Sequence, residues 1–467
     1  MERGRIPIRI KRHMAGMILF LVPVSALYAQ EKAASPSLTL EQAVRMALQQ
    51  NPAFQTNNDE GGATRARLRQ VQAAWFPRFD FRQDFTRGNN PVYVFGTKLT
   101  QRRFSAADFA LNSLNTPAPL DNFQTRVDGQ WQLFDSNQTL LHQRSAKRLV
   151  TACDFETEQA RQDLILEIVR SYYGVLVLKE SAKSADEAVK TAESSAQRME
   201  TMHTAGLLVD SDLLSAKVFV AQMKDRQIRA RNDLALGEMQ LAREMGASLD
   251  APAEPAATLS EPGTPSRPLD EWIRVAMEQR PGLRAAQLQE TAMKDEGKAA
   301  KAEFGPKVEL FGSAERDAMT FGGPSGTNWT AGARIEFNVF AGGAQKARAA
   351  EAAANANKAK HNVEWLRSGV QLEVRKALLD GSAAAQRTAS ARDAAEQAKE
   401  SLRIVQNRYE AGLTTVTELL RSQTAQLEAR TEYLAALQDW QVAQAQLERA
   451  AGVLTPESAL ITGASKP

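Results

Sequence analysis

Two periodicities alternate along this chain, and each appears in both halves. Residues 76–87, FPRFDFRQDFTR, place Phe79, Phe81 and Phe85 on one side of an extended segment and Arg78, Asp80, Arg82 and Asp84 on the other. Residues 122–134 repeat the alternation, with Val127, Trp131 and Leu133 opposite Gln124, Arg126, Asp128, Gln130 and Gln132. In the second half, residues 306–316 set Val308, Leu310 and Ala314 against Glu309, Ser313 and Glu315. Residues 328–340 set Trp329, Ala331, Ala333, Ile335, Phe337 and Val339 against Thr330, Arg334, Glu336 and Asn338. The pattern predicts four strands of ~10 residues, each with one apolar and one charged face.

The rest of the pattern is helical. Residues 137–204 and 343–410 are rich in Ala, Gln, Glu, Arg and Lys, with apolar residues at helical spacing. Each predicts a helix ~100 Å long, wider than a globular domain. Return helices are expected over roughly 208–246 and 414–451. Segments 52–75 and 282–303 have the length to stack end to end on these shorter partners. Leu413, Leu420, Leu427 and Leu434 keep a seven-residue interval, mirrored by Leu207, Leu214, Ala221 and Ile228, which predicts left-handed supercoiling. Gly61-Gly62 is expected to kink or break the helix over 52–75, at ~1 kcal/mol per glycine relative to alanine.

The two halves are copies. LEQAVRMALQQNP at 40–52 matches LDEWIRVAMEQRP at 269–281 at an offset of 229, which also carries Pro77-Arg78 onto Pro306-Lys307. From Leu133-Phe134 onto Val339-Phe340 the offset is 206, and it stays so through Gly246 and Gly452. The first half therefore holds 23 extra residues, within RGNNPVYVFGTKLTQRRFSAADFALNSLNTPAPLDN. The same offset superposes two hairpin tips, Ala205-Gly206-Leu207 and Ala411-Gly412-Leu413. The organisation is a first repeat over 30–249, a Pro/Ser/Ala-rich linker over 250–268, a second repeat over 269–453 and a tail over 454–467.

The first 29 residues stand apart, with a basic start (Arg3, Arg5, Arg9, Lys11, Arg12), an apolar run from Met14 to Leu27 and a small-residue exit at Ala29. This is the pattern of a secretory signal peptide cleaved after Ala29; the apolar run is shorter than the ~20 residues a spanning helix needs. Residues 1–29 carry five cations and one anion, so the formal +3 of the chain falls to −1 without them. No basic patch for nucleic acid survives. Cys153 is alone, so no disulfide within the chain is expected, and no cysteine follows the apolar run to carry a lipid.

A soluble sheet would turn its charged side to water and its greasy side to a core, and the strands by themselves leave that alternative open beside the membrane barrel. Four strands cannot close a barrel, so the membrane alternative needs several copies.

The duplicated layout, the signal peptide, the four strands and the tip RYEAGLTTVTELL together resemble the TolC-like outer membrane efflux proteins, over essentially the whole mature chain. The resemblance implies a mainly α fold with membrane β: long coiled-coil hairpins plus four strands per chain. A homotrimer would form a 12-strand outer membrane barrel continued by a 12-helix periplasmic tunnel. It implies the outer membrane channel of a tripartite efflux or type I secretion system, with a periplasmic adaptor docked on the tips and an inner membrane transporter behind it. The lipid face would carry Phe79, Phe81, Trp131, Ile335 and Phe337, and the docking tips would be Ala205, Gly206, Leu207, Ala411, Gly412 and Leu413. Six residues past each tip glycine stands an acid, Asp212 and Glu418, expected at the periplasmic gate. Arg421 occupies the place where the family often has a second acid, so a double acidic ring is not expected; Arg421 is instead placed to pair with Glu418. The bland alternative is that both acids serve the helix N-termini.

No catalytic constellation emerges: His13, His142, His203 and His361 lack metal-ligand spacing, and GGPSG at 322–326 lacks the Gly-Lys-Ser/Thr ending of a phosphate loop. No enzyme activity, metal or cofactor is expected. The remaining alternative, a structural periplasmic coiled-coil protein, leaves the two-faced strands unexplained.

Overall fold

The computed structural model describes residues 38–250, 255–256 and 267–463. The signal segment 1–29 with its cleavage site, most of the linker, and residues 464–467 of the tail lie outside the described residues.

The first repeat begins with α1 (Leu40–Gln50), whose Thr39 and Gln42 form a reciprocal capping box. Asn51 ends α1 and starts α2 (Pro52–Ala73): its side chain accepts from Phe54 N–H at 2.9 Å, and Pro52 takes the first helical position, where no N–H is needed. Gly61-Gly62 does not interrupt α2, which runs unbroken along the helix that follows the sheet's second strand. Strand β1 (Arg78–Gly88) leads to α3 (Pro91–Thr100), a single 3₁₀ turn at Ala106–Phe109, and the short α4 (Leu111–Asn115). Then come β2 (Leu120–Phe134), the 67-residue α5 (Gln138–Thr204) and α6 (Asp210–Met245). The second repeat has α7 (Leu269–Gln279), α8 (Pro281–Ala302), β3 (Lys307–Ala318), β4 (Ser325–Glu336), the 67-residue α9 (Ala344–Glu410) and α10 (Val416–Ala451). The tail adds α11 (Ala459–Thr462).

The helices pack as the lengths require. α5 lies against α6 on one side and α10 on the other, and α10 lies against α9. α2 continues the line of α6 alongside α5, and α8 continues the line of α10 between α5 and α9. At the first junction Asn51 Nδ2 donates to Glu244 O at 2.7 Å, satisfying a terminal carbonyl of α6. At the second, Arg280 Nη1 donates to Arg449 O at 2.6 Å. Both junctions need glycine: a Cβ on Gly246 would strike the backbone of Gln50, and one on Gly452 would sit 2.7 Å from Arg280 Cα. The core around the first junction gathers Val44, Ile165, Val169, Tyr172, Leu241 and Leu454. A smaller one at the second holds Trp272, Val374 and Leu447.

The four strands form one antiparallel sheet in the order β1-β2-β3-β4. Phe81 pairs with Val127, Val127 with Ala314, and Ala314 with Trp329, so one register row crosses all four strands on the apolar face. β4 ends at Glu336, four residues short of the expected boundary, leaving Phe337 and Asn338 just beyond the ladder. The reason lies in its neighbour. Lys307 is the last β3 partner, opposite Glu336, and the preceding Pro306 has no N–H to extend the pairing. Pro77 likewise delays β1 to Arg78 rather than 76.

Candidate functional site

The sheet has two faces of opposite chemistry, and among the described residues no helix packs over the apolar one. On it Phe79 is 71% exposed, Phe81 69%, Trp329 80% and Ile335 74%, against the usual burial of such side chains. Trp131 is half-exposed there, its indole N–H donating to Trp75 O at 3.0 Å. Phe337 is exposed as well, beyond the end of β4. Among the described residues, no helix is long and apolar enough to cross a membrane.

The opposite face is an ion-paired lattice. Asp128 accepts from Arg82 and, at 2.8 Å, from Arg126 Nε; Arg126 also lies 3.5 Å from Glu315. Gln124 Nε2 links Glu315 to Asp317 at 3.3 and 3.2 Å, and Asn122 Nδ2 donates to Asp317 at 2.7 Å. In β3 an apolar residue, Phe311, sits on this face and breaks the expected alternation. Phe311 lies there with the Arg334 guanidinium 5.1 Å above its ring, in space that Gly332 leaves open. β1 and β4 each have one neighbour in the chain, so each presents an unpaired edge.

The inserted segment between β1 and β2 is folded rather than a simple loop. Asn90 caps α3 by accepting from Val92 and Tyr93 N–H. The end of α3 bends onto the polar face: Gln101 Nε2 donates to Asp121 O and Asn122 Oδ1, both at 2.9 Å, and Asn328 Nδ2 donates to Thr100 O at 3.2 Å. Lys98 Nζ lies 2.7 Å from Asp108; that bond and the Ser105 backbone N–H hold the Asp108 carboxyl down at about 2.

At the far end of the helices the two tips have the same geometry. Gly206 takes φ +76° and Gly412 φ +71°, and each closes its helix in a Schellman turn. Leu207 N–H donates to Met202 O at 2.9 Å, and Leu413 N–H to Arg408 O at 2.8 Å. Leu207 and Leu413 point outward, 73% and 67% exposed. Just inside, Met199, Leu213, Val416 and Leu419 form one core shared by both hairpins, so the tips stand side by side. The first tip carries His203 Nε2 2.5 Å from Asp210 Oδ1; the equivalents in the second are Tyr409 and Val416.

The three expected gate residues divide. Asp212 is partly buried and acts on Tyr409 of the other hairpin; burial pushes the Tyr409 phenol up and the nearby carboxylate adds to it. Glu418 and Arg421 are exposed in the first turns of α10. Thr415 caps that helix by accepting from Glu418 N–H at 3.3 Å. No ion pair joins Glu418 to Arg421 among the described residues, although they stand three apart on the helix.

The described histidines are engaged with acids: besides His203, His142 Nδ1 lies 2.9 Å from Glu296 and His361 Nδ1 3.2 Å from Glu364. Cys153 is buried in α5. Among the described residues, no three His, Cys, Asp or Glu side chains gather as metal ligands would.

The family described as outer membrane efflux protein matches residues 43–247 and 272–453, one segment per repeat. Protein CyaE of Bordetella pertussis is 29% identical over 328 residues, 65% of this chain and 65% of the relative, so the match spans slightly under two thirds of that relative's length. A membrane protein of Pseudomonas aeruginosa superposes with a TM-score of 0.75 at 21% identity, over 88% of this chain and 93% of that one. The CmeC outer membrane channel of Campylobacter jejuni gives 0.76 at 15% identity, over 91% of this chain and 88% of that one. At such identities these structures establish a common fold.

Proposed function

The chain belongs to the outer membrane efflux protein family, and from that premise we propose that three copies form a continuous conduit through the outer membrane and into the periplasm. The observation that carries this reading is the sheet: one exposed apolar face, one ion-paired face, and two unpaired edges. A sheet edge cannot face lipid, because its backbone N–H and C=O groups find no partner there. Pairing β4 of one copy with β1 of the next removes every edge, and three copies give twelve strands, an even number within the known range. Phe79, Phe81, Trp131 and Ile335 then meet lipid, with Phe337 at the periplasmic rim. The lattice of Arg82, Asp128, Arg126 and Glu315 lines the water-filled lumen, where charges stay solvated.

The long helices of three copies continue the conduit as a twelve-helix tunnel, and the paired tips give six similar turns at its end. A periplasmic adaptor docks on Ala205, Gly206, Leu207, Ala411, Gly412 and Leu413, connecting the channel to an inner membrane transporter. The exposed Leu207 and Leu413 support this, since each offers apolar area to solvent at its tip. Three copies of Glu418 and Arg421 around the axis, with Asp212 behind them against Tyr409, set the charge of the entrance. The test is conductance in planar bilayers: purified protein should insert as a discrete, cation-sensitive channel, and absence of any conductance from folded protein would refute the reading.

A further inference from the structure

Residues 89–119 join β1 to β2 at the end of the sheet away from the long helices, and the last turn of α3 is seated on the polar face there. Gln101, 2% exposed, donates from Nε2 to Asn122 Oδ1, and Asn328 Nδ2 donates to Thr100 O, satisfying a terminal carbonyl of α3. Asn122 shares its strand face with Gln124 and Arg126, and Asn328 shares its own with Thr330 and Arg334. At β4 backbone meets backbone: a Cβ on Gly326 would lie 1.9 Å from Thr100 O. Arg102 takes φ +54°, uncommon for a residue with a Cβ, and its guanidinium donates to Thr327 O at 2.8 Å. At the opposite edge the Tyr93 hydroxyl donates to Thr86 O of β1 at 2.9 Å. The insertion is thus fastened across the width of the sheet, from β1 to β4.

Asp317 links these contacts. It is fully buried on the polar face of β3 and meets no cation among the described residues; its oxygens accept from Asn122 Nδ2 at 2.7 Å, Gln124 Nε2 at 3.2 Å and Asn328 Nδ2 at 3.4 Å. A carboxylate only accepts, so it turns Nδ2 of Asn122 toward itself and leaves Oδ1 for Gln101. Asn328 is turned the same way, its amide nitrogen shared between Asp317 and Thr100 O. Burying a carboxylate is costly unless it is hydrogen-bonded, and these bonds also set the polarity that holds the insertion. The insertion has its own stiffening: Phe95, Phe104 and Phe109 stack edge to face with centroids 4.7 and 5.2 Å apart, and Lys98 is tied to Asp108. Nothing about a hairpin at this end requires such a structure, because residues 319–324 alone join β3 to β4.

We propose that the insertion is a cover on the extracellular mouth of the conduit, latched over the lumen by the two asparagine amides that Asp317 orients. This rests on the channel reading, in which the polar face lines the lumen and three copies set three covers around one axis. The cover restricts the size of what passes the mouth.

Ser313, on the polar face between Asp128 and Thr330, is replaced by cysteine, and intact cells are treated from outside with a small sulfonated maleimide or a bulky polyethylene glycol maleimide. The wild-type chain is the blank, since its one cysteine, Cys153, is buried in α5. With the insertion in place the small reagent should label Ser313→Cys and the bulky one should not. Replacing residues 89–119 by the 319–324 sequence should bring bulky labelling up to the level of the small reagent. If that variant does not assemble, two point changes carry the test: Gln101→Ala, which removes the donor to Asn122, and Gly326→Ala, whose Cβ displaces Thr100. Each should raise bulky labelling of Ser313→Cys above that of the latched protein. Bulky labelling that is equal with and without the insertion, or unmoved by both point changes, would overturn the cover and leave the channel reading standing. Absence of small-reagent labelling even without the insertion would overturn the channel reading, and the cover with it.

Discussion

Arginine placed at Ala331 tests the lipid face with little collateral change, because the side chain it replaces is small and the position is exposed. Ala331 is the seventh of the twelve residues of β4 and pairs with Gly312 in the middle of β3. Six steps of about 3.3 Å put it ~20 Å along the strand, and a tilt near 45° converts this to a depth of ~14 Å. The apolar band of such a barrel is ~25 Å tall, so Ala331 lies near its midplane and arginine there should cost about 2–4 kcal/mol per chain. That is about a 30- to 1000-fold shift in the folding equilibrium. Ala333, two residues nearer the end of the strand, should show a smaller cost with the same substitution, because depth governs the penalty. Thr330, adjacent in sequence but on the polar face opposite Ser313, should accept arginine with little change. The assay is urea unfolding in lipid vesicles, followed by the mobility difference between folded and unfolded forms on gels. Equal losses at Ala331 and Thr330, or a larger loss at Thr330, would refute the assignment of faces.

Three further outcomes follow from other parts of the molecule. Gly412→Val, forced toward φ +71° with a β-branched side chain, should weaken export while leaving assembly intact; loss of assembly would make the tip a folding element first. In planar bilayers, Glu418→Ala should raise conductance or remove cation block, and the double variant with Arg421→Ala should be non-additive if the two residues pair between chains. Unchanged conductance in Glu418→Ala, Arg421→Ala and the double variant would return both residues to a helix-cap role. His142 is held above its ordinary value by the hydrogen bond to Glu296, so its contribution is fully present below the free imidazole value and is lost as pH rises through the folded one. Chemical-denaturation midpoints of wild type and His142→Asn should accordingly differ more at pH 6 than at pH 9, and a constant difference would refute the pairing.

Much of this architecture was visible in the residues, and the exceptions have identifiable causes. The long helices fall within a residue of their expected limits because periodicity, glycine at the ends and the 206-residue offset all mark the same places. β4 was overestimated because its end is set by Pro306 on the neighbouring strand, a non-local constraint. α2 stays helical through Gly61-Gly62 because packing against α5 outweighs ~1 kcal/mol of helix propensity per glycine. The fold of the insertion was not legible, since it depends on contacts such as Asn328 to Thr100 across 228 residues of sequence. The same holds for Asp212: spacing announced an acid after each tip, but only the packing of the two hairpins shows that this one raises the Tyr409 phenol of the other. Phe311 could have been noticed as the one bulky apolar residue on the charged side of its strand.

The central claim is that the sheet of one chain is a third of a closed barrel. Native mass spectrometry of the detergent-solubilised complex tests it most directly. The account predicts a single species of three chains that survives when the membrane is removed, because the paired strand edges hold it together. A folded monomer, stable with both edges of its four-stranded sheet unpaired, would contradict it.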